Sequence, residues 1–255
     1  MTDRHDTRVS LNVYLLDAVD FSSWLALQLR LVFEVSGDRS QGALVLCEHP
    51  PLISVGRHGS REQVHFDHRE LSLRGWPIRW VNRGGGALLH LRGQLAIYPI
   101  FPLDRLGLDL RAYLHDLQTT LRETAADFGA HATLDGKRPG VQSSGRLLAH
   151  VGVAVRDWVS YFGAAFNINP GLEHFRRVDC DGFGQMTSLE RERRLAVNPD
   201  LVRHRLIERF CEQFGLPTPE IFHSHPALSD GTEYRPPAKT PAWHELLMAR
   251  RVDDK

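Results

Sequence analysis

The hydrophobic period of this chain changes repeatedly, and the changes never settle into regular strand–helix–strand units. Residues 9–16 alternate with period two, placing Val9, Leu11, Val13 and Leu15 on one face, as a strand does. Asp20 then stands where a helix cap belongs. Phe21, Trp24, Leu25, Gln28, Leu31 and Val32 share the inner face of a helix expected over 21–35, with Gln28 its one polar intruder. The segments 43–49, 52–56, 77–82 and 95–101 read as short strands, the first two broken by Pro50-Pro51. A second helix is expected over 109–128, with Gly129 as its stop, and a last one over 199–214, between Asn198 as cap and Gly215 as stop. Between them, 141–169 returns to strands, with turns at Ser143-Ser144-Gly145 and Arg156-Asp157. This interspersed order predicts an α+β domain, a mixed β-sheet with helices packed on it. The domain is expected over 9–217. A Pro- and His-rich extension follows over 218–255, read as an extended arm that ends in a short helix at Trp243–Met248.

Composition narrows the function classes. The 31 basic side chains balance 31 acidic ones, so the long-range positive field used in nonspecific nucleic-acid binding is missing. No apolar run reaches the roughly 18 residues of a membrane helix, and the polar start carries no signal core. Neither nucleic acid nor membrane is expected as a partner. The cysteines, Cys47, Cys180 and Cys211, are odd in number and far apart, with no CxxC. That disfavours a disulfide framework or zinc knuckle and suits a reducing cytoplasm.

Four segments carry candidate chemistry: 48–59, 82–100, 138–156 and 160–189. In the second, Arg83 opens a run of three glycines at the end of a strand. Glycines let backbone N–H groups approach a ligand, and an arginine adds a rigid donor fork. This pattern makes an anion or carbonyl pocket, or else a glycine-rich hairpin with a surface arginine.

The RGG loop followed by His90, Gly93-Gln94 and a Tyr-Pro strand resembles lipoate-protein ligase B, the octanoyl-carrier-protein:protein octanoyltransferase family. EHPPLISVGRHG (48–59), RPGV (138–141), GVAVR (152–156), FGAAFNI (162–168) and TSL (187–189) match in order and spacing. The resemblance spans about residues 10–215 and implies the fold of biotin and lipoate ligases. It also implies a reaction: a cysteine thiolate takes an octanoyl or lipoyl chain from an acyl carrier protein thioester and passes it to a lysine of a lipoyl-domain protein. A nearby lysine would ionise the thiol, whose ordinary pKa of about 8.5 leaves it mostly protonated. No cofactor or metal is implied.

The sequence departs from that family at the reacting positions. The hairpin lysine falls on Leu147, and Arg146 beside it points to the opposite face of a strand. The family's histidine before the alternating strand is Phe162. Aligning Gly182 with the family's Pro-Cys-Gly glycine puts Asp181 on the nucleophile and Cys180 on the proline. A one-residue slip would return Cys180 to the reacting point, where Asp179 and Asp181 would raise its pKa by like-charge repulsion. The catalytic candidates are therefore Cys180 and Asp181, with His150 or His90 as activator. The substrate pocket is expected from Arg83, Gly84, Gly85, Gly86, Ala87, Leu88, Leu89 and His90, from Leu147, His150, Val151 and Gly152, and from Gly163, Ala164 and Ala165. Three readings compete. One is octanoyl transfer. Another is a homologue that binds an acyl chain or carrier protein without transferring it. The third is an ATP-dependent ligase, which the missing lysine also weakens. Cys47 and Cys211 read as buried small hydrophobes, and His223-Ser224-His225 lacks a further metal ligand nearby. The basic cluster Arg191, Arg193, Arg194 is a solvated face that an acidic partner could meet.

Overall fold

The computed structural model describes residues 9–136 and 138–229. In chain order the elements are β1 (Ser10–Ala18), α1 (Phe21–Gly37), β2 (Gln41–Glu48), β3 (Leu52–Val55), α2 (His68–Arg74), β4 (Ile78–Trp80), β5 (Ala87–His90) and β6 (Gln94–Ile100). Then come α3 (Leu110–Asp127), β7 (Ala132–Leu134), β8 (Gly140–Ser143), β9 (Arg146–Arg156), β10 (Val159–Asn167), α4 (Leu189–Arg193), α5 (Pro199–Phe214), β11 (Glu220–Phe222) and α6 (Pro226–Ser229). The expected helices form within about two residues of their anticipated ends because their caps are real. Asp20 accepts from the Ser22 and Ser23 amides, Asp109 from that of Ala112, and Asn198 from that of Asp200. Each such cap is worth about 1 kcal/mol. Gly215 ends α5 at φ +63°, a conformation that favours glycine.

The strands form an eight-stranded mixed sheet in the order β11-β1-β2-β6-β10-β9-β8-β7 and a separate three-stranded sheet, β4-β3-β5. In the large sheet β1 runs parallel to β2 and β11, and the other pairs are antiparallel. The fold is the α+β arrangement expected. The segment after 218 enters the sheet as the edge strand β11, with Asn12 opposite Glu220. The short helix anticipated at 243–248 lies outside the described residues. Residues 68–74, for which no element was anticipated, form α2, capped reciprocally by Asp67 and Glu70. Among the described residues, no helix is long and apolar enough to cross a membrane.

The core has three parts. On one face of the large sheet, α3 and α5 pack over Leu44, Leu95, Val151 and Phe166. On the other face α1 packs over Val45, Tyr98 and Val159, with Trp24 stacked on Tyr98 at 4.0 Å. The third cluster joins the small sheet to the segment 175–186. The polar intruder on α1 has a structural task. Gln28, 2% exposed, accepts the Phe162 N–H at 2.8 Å. Phe162 sits at φ +55° inside β10, so its amide has left the regular ladder and needs that acceptor. The next residue must be glycine, since a Cβ at Gly163 would lie 2.1 Å from the Ile97 carbonyl oxygen. This kink brings Phe162 and Gly163 to the wall of the cavity described next.

Candidate active site

The site begins with the loop between β4 and β5. Arg83 turns inward and is only 5% exposed. Its guanidinium donates to the Ser54 carbonyl and hydroxyl and to the Gly84 and Gly86 carbonyls, at 2.9 to 3.2 Å. The sequence suggested a donor fork for a ligand. Arg83 lines the cavity described below and also holds the glycine loop in shape, because the loop's own carbonyls curl back onto it.

The clamped loop meets Asp181, which arrives from the segment after β10. Asp181 Oδ1 accepts the Gly86 N–H at 2.5 Å, and Oδ2 accepts from His150 Nε2 at 2.9 Å. A carboxylate only accepts, so the neutral imidazole carries its proton on Nε2. The glycines permit this approach. A Cβ at Gly85 would lie 2.5 Å from Asp181 Oδ2 and 3.0 Å from His150 Nε2, and one at Gly86 would lie 2.8 Å from Asp181 Oδ1. Burial raises the Asp181 pKa, but the His150 hydrogen bond, the Gly86 amide and the Arg83 charge outweigh it, and the net direction is down. His150 is lowered, first by burial, against the upward pull of Asp181.

Cys180 lies beside this pair. It is 2% exposed and packed in the third cluster with Leu147, Phe175, Phe183 and Met186. Burial pushes its thiol well up, Asp181 and Asp179 add to that, and only Arg83 opposes. Its sulfur and donor atoms of His150 and Asp181 lie within 4.8 Å of one another, a donor set that would suit a zinc-like ion. A cation there would have to break the Asp181–His150 bond and sit in the field of the Arg83 guanidinium.

A narrow recess opens beside the loop, with about 20 Å³ of room in this structure, little more than one water molecule. Phe21, Leu88, Phe162, Gly163, Ala164 and Ala165 form its apolar wall, and Ser54, Arg83, His90, Tyr98, His150 and Gly152 its remaining lining. His90 is engaged with another partner. Its Nε2 pairs with the Ser54 hydroxyl at 2.8 Å, and burial, then the charges of His49, Arg83 and His150, push its pKa well down. Behind it His49 donates Nδ1–H to the Val19 carbonyl at 2.7 Å and accepts from Tyr98 at 2.8 Å.

The structure therefore gathers Arg83, Leu88, His90, His150, Gly152, Gly163, Ala164 and Ala165 at the cavity, with Gly85, Gly86 and Asp181 adjoining. Gly84 is tied by its N–H to the Val153 carbonyl at 2.9 Å, and Ala87 by its N–H to Gln63 at 3.0 Å. Three anticipated pocket residues face elsewhere. Val151 follows His150 on β9 and so points into the opposite core. Leu89 and Leu147 pack in the third cluster. Leu147 is drawn there because its N–H and C=O pair with Gln185 and Thr187, laying that segment along β9. Phe21, Ser54, Gln63 and Tyr98 were not anticipated in the site. Their sequence separations from the loop gave no signal.

The mixed sheet with its packed helices is the lipoate-ligase fold. A lipoate-protein ligase A bound with ATP superposes with a TM-score of 0.69 at 16% identity, covering 84% of this chain and 89% of that one. At the sequence level, residues 20–211 match the lipoyl protein ligase A/B catalytic domain, and the chain belongs to that family. An octanoyltransferase of Nitratidesulfovibrio vulgaris (strain DP4) is 36% identical over 179 residues, covering 69% of this chain and 82% of the relative. An octanoyltransferase of Caldicellulosiruptor saccharolyticus is 33% identical over 211 residues, 81% of this chain and 90% of the relative.

Proposed function

We propose that the protein is an octanoyltransferase, moving an octanoyl-class acyl chain from a carrier-protein thioester to the ε-amine of a lysine on a lipoyl domain. The observation that carries this reading is the apolar cavity sharing His150 with the Asp181–glycine-loop junction. In this reading the acyl chain parts the apolar wall of Phe21, Leu88, Phe162 and Ala164, and its carbonyl reaches the polar junction. Burying each methylene is worth about 0.8 kcal/mol, so an eight-carbon chain gains several kcal/mol over an acetyl group. At the junction, the Arg83 charge favours the negative charge that develops on the carbonyl oxygen. An acidic carrier or acceptor would find exposed arginines at 191, 193 and 194.

The test mixes the protein with octanoyl carrier protein and a lipoyl domain and reads the acceptor's intact mass. A gain of one octanoyl group that resists hydroxylamine is an amide and supports the reading. Carrier binding without that gain refutes it and leaves a non-transferring binder.

A further inference from the structure

The junction holds a thiol, an imidazole and a carboxylate within a few ångströms, but they are not equally available. The Cys180 residue and the His150 side chain are each 2% exposed, whereas the Asp181 side chain is 24% exposed. Each Asp181 oxygen accepts one hydrogen bond, and a carboxylate oxygen can accept two, so a lone pair stays free on each. The backbone is bent to aim this group. Asp181 stands at φ +52°, in the left-handed region, at a cost of order 1–3 kcal/mol. Around it, Asp179 accepts the Gly182 N–H at 2.9 Å, while Arg138 donates to the Gly182 carbonyl at 2.6 Å and the Asp181 carbonyl at 3.2 Å. Strain held by that many contacts marks a position the fold over-determines.

We infer that Asp181 is the acyl acceptor on the enzyme, so that transfer runs through an octanoyl-aspartyl anhydride and not through a thioester on Cys180. The inference rests on the transferase reading above and names its nucleophile. In the first step an Asp181 oxygen attacks the thioester carbonyl carbon. A C–O bond forms, the C–S bond breaks, and the carrier leaves as a thiolate that takes a proton from water. In the second step the acceptor's neutral amine attacks the octanoyl carbonyl. A C–N bond forms, the C–O bond to Asp181 breaks, and the amine's surplus proton passes to water, balancing the one taken by the thiolate. No oxidation occurs and no co-reactant is needed. The Gly86 N–H and His150 Nε2–H stand beside both Asp181 oxygens, so they stabilise the carboxylate as it departs. The thiol is buried among Leu147, Phe175, Phe183 and Met186, between the opposing charges of Arg83 and Asp181.

Borohydride attacks an acyl-aspartyl anhydride at either carbonyl, and attack on the aspartyl side leaves homoserine, which provides the test. The full chain is turned over with octanoyl carrier protein in the presence of borohydride, digested, and mapped by tandem mass spectrometry. Homoserine at position 181 is expected in the wild type and in Cys180→Ala, and none is expected without the octanoyl group. Octanoyl on Cys180, or octanoylated lipoyl domain formed with no homoserine at 181, overturns the inference and leaves the transferase reading standing. No adduct together with no transferred octanoyl group overturns both. Mapping the wild type needs no variant to fold. As a second arm, Asp181→Asn should lose the adduct and at least a hundredfold in transfer rate while its circular dichroism spectrum is unchanged.

Discussion

Gly85→Ala tests whether the glycine loop exists to admit Asp181 and His150. The new Cβ would fall 2.5 Å from Asp181 Oδ2 and 3.0 Å from His150 Nε2, and Gly85 sits at φ +78°. Left-handed backbone costs a residue with a Cβ roughly 1–2 kcal/mol. Moving the carboxylate away also loses a charge-assisted hydrogen bond, roughly 1.5–3 kcal/mol. Together the substitution should destabilise the fold by about 3–5 kcal/mol. Two parts can be separated by repeating it in an Asp181→Ala background, where the obstructing carboxylate is gone. There only the backbone cost, about 1–2 kcal/mol, and a softer contact with His150 should remain. Urea unfolding followed by far-ultraviolet circular dichroism gives all four stabilities. An equal penalty in both backgrounds would show that Gly85 answers to backbone conformation alone, and the close-approach reasoning would be wrong.

Two further outcomes follow from buried polar groups. His49 is pushed down to about 4 by burial, against the Val19 carbonyl and the Asp20 charge, which pull it up. Its folded pKa lies below the unfolded value of about 6.5, so the unfolded state binds the extra proton first. The stability His49 preserves is thus complete above about pH 6.5 and is lost as pH falls toward about 4, an effect of order 3 kcal/mol. His49→Gln should flatten thermal stability against pH across that window, and an unchanged slope would count against the assignment. Gln28→Leu removes the acceptor of the Phe162 N–H and leaves a buried donor unpaired, at a cost of about 1–3 kcal/mol. A melting temperature within a degree of wild type would mean that water or another group satisfies that amide.

Much of the fold could be read from local pattern. The strand at residue 9, the helices at 21, 109 and 199 and their capping residues all depend on neighbours within a few positions, where period and side-chain reach suffice. Residues 68–74 escaped because a seven-residue helix offers too few turns for a period to show, although its Asp67–Glu70 cap was present. In the site, His150, Arg83, Asp181 and the glycine run were all in view. Their roles were not. That Arg83 also holds its own loop depends on Ser54, 29 residues away, and no spacing rule links the two.

The chain alone therefore determined the family and the class of fold, because these are matters of residue type and order. Tertiary structure decided how two adjacent residues differ in access, Cys180 buried and Asp181 partly open. Cys180 and Asp181 are one peptide apart, and a small change in backbone direction exchanges them. The left-handed turn at Asp181, the pairing of Leu147 with 185–187 and the missing Cβ atoms at 85 and 86 set that direction. The last two are contacts across tens of residues, and they leave the carboxylate against the loop and Cys180 buried in the third cluster.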